Sequence, residues 1–124
     1  MVKEFVLDTS LVLETGKPQP DERVKRWLSQ LPGHHMWTSV IVFGELQAGI
    51  SLLEDGARCL SIDEPTARAW GDLHASRQRR GWPLAVADGL IAATAIVRGL
   101  AIATRNIDDF ADHGTQTENP WDSR

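Results

Sequence analysis

Apolar and polar positions alternate along this chain in blocks that predict strand and helix by turns. Phe5-Val6-Leu7 is a short apolar run that ends on Asp8, and residues 2–7 read as a strand buried on both faces. Residues 11–20 lose periodicity, and Gly16 to Pro20 read as a loop. Asp21 is a good N-cap, and Val24, Trp27, Leu28 and Leu31 follow at helical spacing until Pro32-Gly33 ends the helix. Met36 to Ser39 predict a second strand, and the nearly all-apolar stretch from about Val40 to Leu53 predicts a buried helix carrying Glu45. Glu54-Asp55-Gly56 is a turn, and Arg58 to Ile62 a third strand. Asp63 caps a helix with Pro65 in its first turn, and Arg77 to Arg80 with Gly81 close it. Ala85 to Val97 is a small-residue helix stopped by Gly99. Leu100 to Thr104 is a fourth strand, and the polar tail holds a short edge strand near Thr115 to Thr117. Such alternation predicts one α/β domain over residues 1–124, a mainly parallel sheet of four or five strands flanked by helices.

Composition narrows the function classes. The 124 residues carry a net charge of −4, which argues against a generic nucleic-acid binder but not against an enzyme that meets phosphate through a divalent cation. No apolar run reaches the length of a membrane span, and the first residues lack a signal-peptide layout. Cys59 is alone, so no internal disulfide forms, which fits a reducing cytoplasm. His34-His35 invite a zinc reading, but adjacent strand positions face opposite ways and no further Cys or His lies at ligand spacing.

Three acids share a description. Asp8 follows the first strand, Glu45 sits in an apolar helix, and Asp88 opens the helix before the fourth strand, which Asn106 follows. In a doubly wound sheet these places converge at one end. A buried carboxylate needs a donor or a cation beside it, and carboxylates with water suit Mg²⁺ or Mn²⁺. Such a site can activate water against a phosphodiester. Taken singly, each acid also has a bland reading: Asp8 as a turn residue, Glu45 in a salt bridge, Asp88 complementing its helix dipole.

Five motifs in order carry a resemblance. They are Leu7-Asp8-Thr9-Ser10, Ser39 to Leu46, Ala87 to Ala95, Ala103 to Phe110, and Asn119-Pro120-Trp121. Together they resemble PIN-domain proteins, most closely the VapC-type toxins of bacterial toxin–antitoxin pairs. The resemblance implies a three-layer Rossmann-like domain with Mg²⁺- or Mn²⁺-dependent endoribonuclease activity. It also implies a homodimer and a cognate antitoxin that inserts into the active-site groove. By position, Asp8, Glu45 and Asp88 match the family's metal-binding acids, Asn106 its fourth site position, and Asp109 the acid that closes the motif begun at Thr104. Thr9 or Ser10, and Thr104, match positions that orient the carboxylates. Arg77, Arg79, Arg80 and Arg105 are the candidates for steering RNA phosphates, with solvated helix-end cations as the alternative for the first three. Between Gly49 and Ile62 the family usually carries an additional helix, where this chain has only about a dozen residues. That shortening keeps open a second reading, a PIN-fold binding protein with little or no turnover that acts through a partner. A phosphatase with an Asp nucleophile is disfavoured, because position 10 is Ser rather than a second Asp.

Overall fold

The computed structural model describes residues 3–39, 58–110 and 114–122. Five short strands form one sheet: β1 (Phe5–Leu7), β2 (Met36–Ser39), β3 (Arg58–Leu60), β4 (Ala101–Ala103) and β5 (Thr117–Glu118), in the order β3-β2-β1-β4-β5. Every neighbouring pair is parallel. The edge strand anticipated near Thr115 to Thr117 is β5, slightly further along the chain. The helix anticipated from Val40 to Leu53, and Glu45 with it, lies outside the described residues.

β1 is central. Phe5, Val6 and Leu7 pair with Ala101, Ile102 and Ala103 on one side, while Phe5 and Val6 pair with Met36 and Trp37 on the other. All three residues of β1 and all three of β4 are buried, as parallel strands covered on both faces must be. From β1 the chain runs outward through β2 to β3, then returns to build β4 and β5 on the opposite flank. Connections therefore diverge between β1 and β4, and the carboxyl ends of those two strands are where open α/β sheets bind ligands.

Among the described residues four α-helices flank the sheet: α1 (Thr9–Thr15), α2 (Glu22–Ser29), α3 (Glu64–Arg79) and α4 (Val86–Arg98). α2 starts where Asp21 accepts from the Arg23 amide, and it buries Val24 and Trp27. The Trp27 ring meets Phe5 of β1 edge-on, 4.9 Å between centroids, an arrangement that suits aromatic quadrupoles. α3 and α4 pack against each other, and Gly89 is what lets them approach: a Cβ there would stand 2.9 Å from the Trp70 indole nitrogen. Gly99 ends α4 in the left-handed region, at φ 66°, where only glycine sits without cost.

One expectation is corrected. Residues 11–15 are not aperiodic loop but most of α1. The helix has only seven residues, too few to display a period, and its burial pattern is irregular. Leu11, Val12 and Glu14 are buried while Leu13 is half exposed. A buried glutamate disguises an inward face. Here its carboxylate is held by Lys17 Nζ at 2.9 Å and by the Asp21 amide at 2.9 Å, and the Lys17 bond first, then that amide, keep its pKa below the ordinary value. The two histidines occupy a 3₁₀ turn, Gly33–His35, rather than strand positions, with their rings edge to face.

Candidate active site

Asp8 leaves β1 as the N-cap of α1 and is almost wholly buried, 2% exposed. Its amide donates to Ala103 O of β4 at 2.9 Å, and its carbonyl accepts from the Leu11 and Val12 amides. The backbone is thus fixed by the sheet behind and the helix ahead. An N-cap aspartate ordinarily turns its side chain onto the amides of its own helix. Asp8 makes no such side-chain bond. Its Oδ2 instead accepts from Thr104 Oγ1 at 2.7 Å and from Ser10 Oγ at 3.0 Å. Its Oδ1 is buried and has no hydrogen-bond partner among the described residues.

The two hydroxyls are themselves positioned. Thr104, fully buried at the end of β4, accepts from the Asn106 amide at 3.0 Å, which turns its hydroxyl proton toward Asp8. Ser10 accepts from the Arg105 amide. Of the two hydroxyls that follow Asp8 in sequence, Ser10 is the one that reaches the carboxylate, while Thr9 opens α1.

Asp88 stands half-buried in the first turn of α4. Burial, then the charges of Asp8 and Asp109, push its pKa above the ordinary carboxylate value. The three acids therefore share one field. Asp109 sits on a 3₁₀ turn, Ile107–Phe110, directly after β4, and its amide donates to Asn106 O at 3.1 Å. Asn106 is exposed and lines an open cleft with Arg105, Ile107, Asp108, Asp109, Asn119 and Asp122. Asn119 and Asp122 went unnoticed as cleft residues in sequence, since only the parallel pairing of β5 with β4 brings the tail beside this loop.

A buried carboxylate oxygen without a donor, beside a second carboxylate that resists ionisation, is the donor chemistry of a hard divalent cation. Among the described residues no group of three His, Cys, Asp or Glu side chains forms a complete cage, and Glu45 lies outside them. Asp8 and Asp88 are the described carboxylates whose surroundings fit such an ion.

The PIN-domain family model matches residues 5–115. The chain belongs to the PIN-domain family. This PIN domain is 33% identical to toxin FitB of Neisseria gonorrhoeae over 94% of its own residues and 98% of that protein. It is 30% identical to a VapC ribonuclease of Sinorhizobium fredii over 95% and 98%. It overlays the crystal structure of FitAcB from Neisseria gonorrhoeae with a TM-score of 0.84 at 32% identity, covering 95% of this chain and 99% of that one. The DNA-bound VapBC structure from Salmonella typhimurium gives 0.78 at 26%, covering 96% and 99%. Within the family the chain stands with the VapC-type toxins. Its alignment with FitB spans 136 positions, more than the 124 residues present, so FitB carries residues that this PIN domain lacks.

The four arginines divide. Arg79 and Arg80 are exposed at the end of α3, and Arg105 is exposed with its guanidinium 5.0 Å from the Trp121 ring centre. Arg77 is different. It is 0% exposed, so it does not present its guanidinium to solvent, and the expectation that it meets an RNA phosphate directly is corrected. Helical position alone could not separate Arg77 from its neighbours.

Proposed function

We propose that this PIN domain, acting as a single unit, is the toxin of a toxin–antitoxin pair and cleaves RNA with the help of Mg²⁺ or Mn²⁺. The observation that carries the reading is the Asp8 carboxylate: one oxygen saturated by Thr104 and Ser10, the other buried without a donor among the described residues and adjacent in field to Asp88. A divalent ion bound there supplies a Lewis acid that lowers the pKa of water and neutralises charge on a scissile phosphate. Asp8 and Asp88 would hold it, with Glu45 as the third acid, and Asn106 and Asp109 at the rim.

The residues of the chain have separate tasks in this scheme. Thr104 and Ser10 fix the rotamer of Asp8 through one oxygen and leave the other, buried and unbonded among the described residues, to meet a cation. Burial, then the charges of Asp8 and Asp109, disfavour the ionised form of Asp88, and a cation held there would favour that form. Arg79, Arg80 and Arg105 face solvent and offer phosphate contacts that position RNA without reading its sequence. The partners follow from the relatives: FitAB and VapBC were solved as complexes, which supports a cognate antitoxin here as well. A homodimer is supported by the exposed apolar side chains Leu13, Val86, Ile96 and Val97.

The test is cleavage of single-stranded RNA by the purified protein in Mn²⁺ and in EDTA. Cleavage in Mn²⁺ that EDTA abolishes and Asp8→Asn removes is the expected result. Binding of RNA or antitoxin without turnover in either condition would replace the nuclease with the binding-protein reading.

A further inference from the structure

Arg77 sits near the end of α3 with no exposed surface, an unusual place for a guanidinium. Its Nη1 donates to Trp82 O at 3.2 Å, and its Nη2 donates to Asp109 O. The guanidinium lies over the Trp82 ring, 4.0 Å from its centre. Trp82 is half exposed and covers one face of the guanidinium, with its own amide donating back to Arg77 O at 3.0 Å. Burial first, then the neighbouring Arg80, weaken the hold of Arg77 on its proton, while the Asp109 charge strengthens it.

Burying a cation is costly, and an apolar residue of similar length would fill the volume without that cost. What an apolar residue could not do is bond two carbonyls at once. The planar fork of arginine suits that task. One carbonyl belongs to the α3–α4 turn; the other belongs to the acid-bearing turn 32 residues away. The same helix pair carries Asp88, and the same acid-bearing turn carries Asp109.

We infer that Arg77 is a positioning residue for the cation site: a buried clip that holds the Asp109 backbone carbonyl and so aims the Asp109 carboxylate toward Asp8 and Asp88. This rests on the metal-dependent reading above. It assigns to Arg77 a role opposite to phosphate steering, since its charge acts inward, through Asp109, rather than on the substrate.

The test is a double-mutant cycle on Mn²⁺ binding, read by calorimetry on the full chain, with Arg77→Met, Asp109→Asn and the pair. Arg77→Met is expected to weaken binding about tenfold, the usual scale for residues that orient metal-site carboxylates. The pair should bind no more weakly than Asp109→Asn alone. Arg68→Met, the same charge change on the exposed part of α3, should leave binding as it was. If Arg77→Met does not fold, Arg77→Lys takes its place in the cycle: it keeps the charge but cannot fork between two carbonyls, and should give a smaller loss with the same non-additivity. A metal-free readout is amide hydrogen exchange. The Asp109 amide should exchange faster in the Arg77 variant, while the Asp8 amide, bonded to β4, should not. Additive losses in the cycle, or equal acceleration at both amides, overturn the inference. Absence of Mn²⁺ uptake by the unmutated protein overturns the functional reading and the positioning role with it.

Discussion

Among the described residues three aspartates stand at the N-caps of α-helices, and they are used in two ways. Asp21 accepts from the Arg23 amide and side chain, and those bonds lower its pKa to about 2. Asp63 accepts from the Thr66 hydroxyl and amide, which lower its pKa below the ordinary value. Both are partly exposed. Asp8 occupies the same helical position, yet it is buried and leaves the amides of its helix alone. Its side chain rests on two hydroxyls, one of them from a strand 96 residues away. A cap aspartate bonded to its own helix is occupied. One that leaves those amides unbonded keeps an oxygen available, and hydroxyls from its own helix and from across the sheet hold it in place. The fate of the carboxylate oxygens, more than the residue type or its position, separates structure from chemistry here.

The sharpest way to break this comparison is to remove charge without changing shape. Asp8→Asn should reduce RNA cleavage on the order of a thousandfold, the scale set by several kcal/mol of lost cation-assisted stabilisation. Its melting temperature in EDTA should stay within a few degrees of the parent, because no cap bond is lost. A large drop in melting temperature with cleavage intact would return Asp8 to the company of Asp21 and Asp63.

A smaller effect is expected at Asp88, and its sign depends on pH. The folded-state pKa of Asp88 is raised above the ordinary carboxylate value by burial first, then by Asp8 and Asp109. The folded protein therefore holds this proton more tightly than the unfolded chain. Stability from that proton is fully present below the unfolded pKa and is lost as pH rises through the folded one. In EDTA at neutral pH, Asp88→Asn should melt higher than the parent by a few degrees, and the difference should vanish near pH 3. Saturating Mn²⁺ should reverse the order, since the parent gains binding free energy that the variant lacks. Scanning calorimetry in both buffers checks this, and a variant that melts lower in EDTA would mark Asp88 as a helix-dipole acid only.

The smallest effect belongs to the true caps. Asp63→Ala should lower the melting temperature by a few degrees at neutral pH through loss of the Thr66 bonds, with Mn²⁺ affinity unaltered. Because the pKa of Asp63 is lowered by those bonds, its contribution is present above the unfolded value and disappears as pH falls through the folded one. Below that range the variant and the parent should melt together.

Much of this was legible in sequence, for reasons particular residues make plain. Asp21, Asp63 and Gly99 mark helix ends because caps depend on local bonds that neighbouring residues supply. Phe5 to Leu7 and Ala101 to Ala103 read as strands because both faces are buried. α1 was illegible because its inward glutamate is satisfied by Lys17 and the Asp21 amide, a pairing that polarity alone hides. For the site, the sequence pattern singled out Asp8 and Asp88, whose charges feel one another in the fold, and the family resemblance supplied the order of the motifs. The choice of Ser10 over Thr9 depended on the direction of the first turn of α1. The inward turn of Arg77 depended on a carbonyl far along the chain. Neither is encoded in local pattern.

The pairing of β1 with β4 has a consequence in time. Asp8 is made early, but the strand that bonds its amide and the hydroxyl that orients its carboxylate arrive 95 and 96 residues later. During synthesis the first part of the chain can collapse and form α2, whose contacts are local, while the crevice remains unbuilt. The nascent chain therefore carries Asp8 without its orienting bonds until β4 has emerged and paired with β1. The carboxylate geometry at Asp8 is therefore completed only in the closing steps of folding, when the last parallel strands pair.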